Sequence, residues 1–294
     1  MNEREHIDLA VIGGSGFYEF AGLDDIEDHF VDTPYGRPSS AIRVGWLGQT
    51  RMAFLARHAV GHRLLPGELP QQANMWALKS LGVRRVVGVS AVGGLQEACA
   101  PGKAVVPDQL IDRTHGQRPT TFFGGGVVGH VAMAEPFCPA LRSATVRAVA
   151  ATGWELVDGG SYVVIEGPAF GTRAESHLYR SWGASVVGMT ALPEAKLARE
   201  AELCYTLLTT VTDYDSWHPT EAEVDAKTVF RMLQANVEKA QGAVRQLAGM
   251  LPQLSECGCE RALDAALVTP LNAIPEDARV RLAPLLRRRL EAGR

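Results

Sequence analysis

The chain has 294 residues, 46% hydrophobic and 21% charged, with a net charge of −4. That is enough apolar material for one large core, or for a core with an appendage. With no Lys/Arg block before the C-terminal segment, nucleic-acid binding is excluded as the main role. No apolar run reaches about 18 residues, so no membrane span is expected. The charged start, Met1 to Asp8, lacks the apolar core of a signal peptide and points to the cytoplasm.

In chain order, Ile7 to Ile12 reads as a buried strand ending in the glycine turn Gly13-Gly14-Ser15-Gly16. Arg51 to Ala56 is a second strand, closed by Arg57 and His58. Gln72 to Leu81 has helical apolar spacing and stops at Gly82. Arg85 to Ser90 is a strand, followed by Ala91-Val92-Gly93-Gly94 as a second glycine turn. Ala104 to Pro107 and Ser161 to Ile165 are strands. Ser185 to Gly188 is another, leading through Met189 and Thr190 into a helix near Pro193 to Glu202. Tyr205 to Val211 is the next strand and Ala226 to Met250 a long helix. Strands alternating with helices give an α/β class with a mixed sheet.

Beyond Met250 the composition changes. Residues 251–294 read as a short helical C-terminal extension on a single domain spanning 1–250. A short helix is expected near Glu260 to Leu267, then a final helix bent by Pro284. Arg287, Arg288 and Arg289 read as a solvated face. The five cysteines are Cys99, Cys138, Cys204, Cys257 and Cys259, an odd count unlike a secreted disulfide framework. Cys257-Gly-Cys259 lacks the second nearby Cys or His pair that zinc normally requires, which leaves a redox-labile pair or two plain thiols.

The chemistry gathers at strand ends. The turn amides and hydroxyl of Gly13 to Gly16 suit an anion, with a ligand-free tight turn as the alternative. A dinucleotide fingerprint would place glycine at position 19, where Glu19 stands, which speaks against a nicotinamide enzyme. Arg57 offers a planar fork for phosphate oxygens. Ser15, Ser90 and Thr190 add hydroxyls. Together they form an oxyanion pocket needing no metal, and neither a metal nor a triphosphate motif is present. Asp213 and Asp215 lie two apart at a strand end, on the same side of the chain. Taken alone, that pair also fits ordinary turn capping.

The ordered segments Val11-Ile-Gly-Gly-Ser-Gly16, Leu55-Ala-Arg-His58, Met133-Ala-Glu-Pro-Phe-Cys138, Ile165-Glu-Gly-Pro-Ala-Phe170, Gly188-Met-Thr190 with Pro193-Glu194, and Thr212-Asp-Tyr-Asp215 carry a resemblance. So do Asp32 to Gly36, Ile111 to Thr114 and Arg173 to Ser176. The chain resembles the methylthioadenosine phosphorylases of the trimeric purine nucleoside phosphorylase superfamily, from residue 9 to about 245. The resemblance implies a nucleoside-phosphorylase domain, with inorganic phosphate as co-substrate and no cofactor or metal. It also implies a cytoplasmic homotrimer, or a dimer of trimers, with no nucleic-acid or membrane partner.

By that resemblance the phosphate site falls on Ser15, Arg57, His58, Ser90, Ala91 and Thr190. Met189 lies against the ribose, offering a backbone group to its hydroxyls. Phe170 flanks the base. Asp213, the catalytic residue, faces N7, and Asp215 faces the 6-amino group. Ala226 and Val229 line the 5′-methylthio pocket, and His130 reaches the neighbouring subunit's site. Siblings that act on 6-oxopurines carry Asn at the position of Asp213 and Glu at that of Gly171, so both residues favour adenine. Two departures are Pro70-Gln71, where the family usually has Asn-Tyr, and the short Gly-Gly-Gly loop after Phe123. The tail resembles a longer archaeal branch whose cysteines can form disulfides, although free thiols fit a reducing cytosol. Cys138 and Cys204 read as buried packing.

Overall fold

The computed structural model describes residues 6–14, 17, 20–219 and 226–292. Its centre is an eleven-stranded mixed sheet. The strands are β1 (Leu9–Gly13), β2 (Asp24–His29), β3 (Ile42–Leu47), β4 (Thr50–Ala56), β5 (Arg85–Gly94) and β6 (Ala104–Val106). They continue with β7 (Gln109–Arg113), β8 (Leu156–Asp158), β9 (Ser161–Ile165), β10 (Val186–Gly188) and β11 (Cys204–Asp213). The main path runs β2-β3-β4-β1-β5-β10-β9-β7, while β11 branches from β5 and carries β6 and then β8.

Period-two alternation explains the layers. Along β1, Ala10 and Ile12 face one way, with Ala53 and Leu55 of β4. That face is covered by α1 (Gln71–Ser80), α4 (Ala191–Glu200), α6 (Glu276–Arg281) and α7 (Ala283–Ala292). Leu9, Val11, Met52 and Phe54 face the other way, under α2 (Pro139–Ala151) and α5 (Ala226–Met250). A third, smaller cluster joins α3 (Arg173–Ser181) to β9 and β10 through Tyr179, Val163 and Val187.

Several sequence expectations change here. The segment after Ser90 is not a turn, because β5 runs on through Gly94 and pairs with β11 and β10. β2 went unread because its residues are acidic and mostly exposed, as suits an edge strand. β3, β7, β8, α2 and α3 went unread as well. No helix forms near Glu260 to Leu267; a 3-10 turn at Cys259–Arg261 and further turns stand there. The last helix does break near Pro284, as α6 and α7 separated by Leu282.

The arginine run is not simply solvated. Arg288 pairs with Glu202 and Asp264, each at 2.6 Å, and Arg289 with Asp264 at 3.0 Å. Leu263, Ile274, Leu282, Leu285 and Leu286 belong to the same buried cluster as the sheet. Among the described residues no helix is long and apolar enough to cross a membrane.

Candidate active site

A cavity of about 510 Å3 opens where β1, β4, β5, β10 and β11 end. It is of ligand size and lies beside strand ends, where α/β sheets place ligands. Arg57, His58, Ser90, Ala91 and Thr190 of the expected anion site line it. Phe170, Met189, Asp213, Asp215, Ala226 and Val229 line it too. Ser15 lies outside the described residues. His130 is exposed and does not line this cavity.

Arg57 is fixed rather than free. It is 1% exposed, and Glu194, 0% exposed, accepts from Nε at 2.5 Å and from Nη2 at 3.1 Å. Nη1 donates to the Val89 carbonyl at 2.7 Å and Nη2 to that of Ile12 at 3.2 Å. Tyr205 donates to the same glutamate at 2.8 Å. Of the five guanidinium N–H groups, one on Nη1 remains for a ligand among the described residues. The packing is tight enough that a Cβ at Gly88 would sit 2.7 Å from Leu207 and 2.8 Å from Tyr205 Oη. The planar fork expected to meet phosphate oxygens is therefore mostly engaged within the fold, and Glu194 offsets its charge.

His58 follows on the same loop. Its Nδ1 donates to the Leu64 carbonyl at 2.8 Å, and its ring stacks on His62 at 4.3 Å. Burial pushes its pKa down to about 4, with the Arg57 charge adding to the effect. At neutral pH the ring is uncharged, and with Nδ1 protonated its Nε2 is an acceptor. Ser90 Oγ is buried and has no hydrogen-bond partner among the described residues. Thr190 is the N-cap of α4 but makes no capping bond, so its hydroxyl is not spent on the helix. An unpartnered hydroxyl on β5 together with an N-cap hydroxyl not used in capping suits an anion.

The carboxylates come from a distortion of the sheet. β11 slips register against β5 between Val211 and Asp213, the signature of a bulge that re-aims a side chain. Asp213 Oδ1 accepts from the Asp215 amide at 2.8 Å and Oδ2 from the Thr212 hydroxyl at 2.7 Å. The turn-capping role is thus real, and it coexists with a place in the cavity wall. Asp215 adopts φ 51°, an uncommon conformation for a non-glycine residue. Its Oδ2 is buried without a partner among the described residues.

Burial raises the pKa of both carboxylates. For Asp213 the charge of Asp215 is only the last contributor. Gly93 lets the pair approach β5: a Cβ there would lie 3.1 Å from Asp213 Oδ1 and 3.1 Å from Asp215 Cβ. Ser90 and Gly93 are three residues apart on β5, about 10 Å of strand. That spacing separates the hydroxyl end of the cavity from the carboxylate end.

Sequence reading missed three groups here. His62 and Arg63 line the cavity from the loop after β4, where Ala59 and His62 both have positive φ. Arg118, 5% exposed, holds the β10–α4 junction, with Nη1 donating to the Met189 carbonyl at 2.6 Å and to that of Leu192 at 2.9 Å. Its Nε pairs with Glu166 at 2.7 Å. Only the double histidine of the Arg57–Arg63 stretch offered a local signal. Arg118 stands in an undistinguished polar loop.

A further cluster lies away from the cavity. Cys138, Cys204, Cys257 and Cys259 bring their sulfurs within 4.8 Å of one another. The expectation that no second cysteine pair stands near Cys257-Gly-Cys259 held only along the sequence. In space Cys138 and Cys204 supply it.

Comparison with known proteins gives the family. A family profile described as the phosphorylase superfamily matches residues 8–249. The S-methyl-5′-thioadenosine phosphorylase of Chloroflexus aurantiacus is 50% identical over 94% of this chain and 96% of its own. That of Geobacter sulfurreducens is 46% identical over 93% and 96%. A methylthioadenosine phosphorylase crystal structure from an antarctic soil metagenomic library superposes with TM-score 0.91 at 46% identity, covering 96% of this chain and 99% of that one. The Schistosoma mansoni methylthioadenosine phosphorylase in complex with adenine has TM-score 0.83 at 31% identity, over 89% and 99%. Shared sequence and fold over nearly the whole length place this chain in the phosphorylase superfamily, among the S-methyl-5′-thioadenosine phosphorylases.

Proposed function

We propose that this chain cleaves S-methyl-5′-thioadenosine with inorganic phosphate, giving adenine and 5-methylthioribose 1-phosphate for purine and methionine salvage. One observation carries the choice of base: the half-buried Asp213 and the buried Asp215 share the cavity with the hydroxyl set, and Asp215 Oδ2 has no partner among the described residues. An exocyclic amino group donates to such an oxygen, whereas a 6-keto group would be repelled by it unless the carboxyl is protonated. Gly171 lines the same wall without a side chain.

Phosphate bound by Ser90, Thr190 and the free N–H of Arg57, with its own P–OH donating to His58 Nε2, attacks the anomeric carbon, with Ser15 and the Ala91 backbone completing its shell. The C–N bond breaks through an oxocarbenium-like transition state, which the adjacent dianion stabilises. Negative charge moves onto the purine and is met at N7 by a proton or strong hydrogen bond from Asp213. Burial favours the protonated form of Asp213 and so supports that role. Met189 packs on the ribose and Phe170, 41% exposed, flanks the base. Ala226 and Val229, with Phe230, offer the 5′ substituent no hydrogen bond, which favours methylthio over hydroxyl. No cofactor enters the scheme.

The protein acts as a cytoplasmic homotrimer, or as a dimer of trimers, with His130 serving a neighbouring site. His130 is exposed and outside its own cavity, and Phe30 is 86% exposed, which supports a partner surface. A panel of methylthioadenosine, adenosine, methylthioinosine and inosine, with and without phosphate, tests the reading on a preparation whose light-scattering mass is three or six chains. Adenine release from methylthioadenosine should require phosphate, and adenosine should be slower by roughly 10–200-fold. Phosphate-independent release, or faster hypoxanthine release, would overturn it.

A further inference from the structure

The four-cysteine cluster has no role in the reaction above. Its members come from separate elements. Cys138 caps the N-terminus of α2, Cys204 opens β11, Cys257 stands in the loop after α5, and Cys259 begins a 3-10 turn. All are unpaired thiols. Cys138 is 1% and Cys259 3% exposed. The Cys138 amide donates to the Tyr205 carbonyl at 2.8 Å, which pins the first two sulfurs side by side.

We propose that Cys138, Cys204, Cys257 and Cys259 form a closed structural site for one Zn2+. Four thiolates at a zinc–sulfur distance of 2.3 Å make a tetrahedron with edges of about 3.8 Å. The four sulfurs lie within 4.8 Å of one another, and Cys204 and Cys257 at 3.3 Å, so small side-chain shifts reach that figure. Disulfides join sulfurs two by two at about 2.05 Å, and nothing in that bonding draws four onto one point. An all-sulfur tetrahedron selects a soft-tolerant metal and disfavours magnesium and calcium.

The surroundings fit a cluster that stays negative after zinc binds. Arg199 Nη1 reaches Cys259 Sγ at 3.7 Å, and its other terminal nitrogen is anchored on the Glu135 carbonyl. The N-terminus of the thirteen-residue α2 faces the Cys138 thiolate with its positive dipole end. On binding, four S–H bonds give way to four Zn–S bonds, the protons leave to solvent, and no electron is transferred. With all four positions filled by protein, no site remains for substrate, so the metal is structural. It would fasten the segment after α5 to α2 and β11.

The test uses the full-length wild-type chain, purified without chelator. Elemental analysis should find about one zinc per chain, and an organomercurial should release it as four thiols are blocked. Chelation should lower the melting temperature, and Zn2+ but not Mg2+ should restore it. Cys257→Ser with Cys259→Ser should lose the zinc, while Cys99→Ser should keep it. If the double variant fails to fold, the wild-type stoichiometry and mercurial release still decide. A reduced chain that takes up no zinc, iron in place of zinc, or an anaerobically prepared chain whose intact mass shows two disulfides would each overturn the proposal.

Discussion

Asp213 carries a capping bond, a cavity wall and the proposed proton at once. Both its oxygens already accept a local hydrogen bond, yet burial still raises its pKa. The carboxyl therefore stays protonated to higher pH than an exposed aspartate. Activity that needs the proton falls as pH climbs past the raised value. The stability sign follows from the same shift: between the ordinary 3.8 and the raised value, the folded chain holds a proton the unfolded chain has lost. Stability therefore declines as pH rises through that window. Asp213→Asn is expected to lower kcat/KM for methylthioadenosine by roughly 10²-fold or more and to remove the alkaline limb of the pH–rate profile. Its melting temperature at neutral pH should hold or rise. Near-normal turnover would refute the acid role. The pair was visible in the sequence as Asp-x-Asp. The bulge that aims it was not, because register slips depend on the partner strand.

At the scale of elements, Arg57 joins more than it binds. From the end of β4 it reaches carbonyls at Ile12 of β1 and Val89 of β5, and Glu194 of α4. Tyr205 of β11 completes the set through Glu194. Removing one partner of such a pair leaves an uncompensated buried charge. Glu194→Gln is expected to cost about 3–5 kcal/mol of unfolding free energy, read by denaturant titration. It should also raise the KM for phosphate, because the remaining Nη1 N–H loses its fixed direction. An unchanged midpoint would show that the pair does not brace these elements. The sequence placed Arg57 at a strand end but gave no sign of its partner, 137 positions away. Long strands with strong apolar runs, such as β1 and β11, were legible. β2 was not, because an exposed acidic edge carries no alternation.

At the scale of the whole molecule, the C-terminal segment is part of the packing. Leu263, Ile274, Leu282, Leu285 and Leu286 fill the face that α1 and α4 cover, and the Trp76 indole donates to the Arg281 carbonyl at 2.9 Å. Each fully buried leucine or isoleucine contributes about 1.5–3 kcal/mol. Their sum rivals the net stability of a domain, roughly 5–15 kcal/mol. A chain ending at Met250 is therefore expected to show no cooperative thermal transition by circular dichroism. A sharp transition near that of the full chain would show that 1–250 is self-sufficient.

The sequence by itself determined the class, the long central strands, the α5 helix and a minority of the residues that line the cavity, because those signals are local. Apolar period, glycine at strand ends and short ordered motifs are all read within a few positions. Only the tertiary structure decided that Arg57 is neutralised by Glu194, that Arg118 holds Met189, and that a bulge turns Asp213 into the cavity. The same holds for the four sulfurs, gathered from three distant stretches of chain. Each of those facts is a meeting between remote residues, and chain order does not encode distance in space.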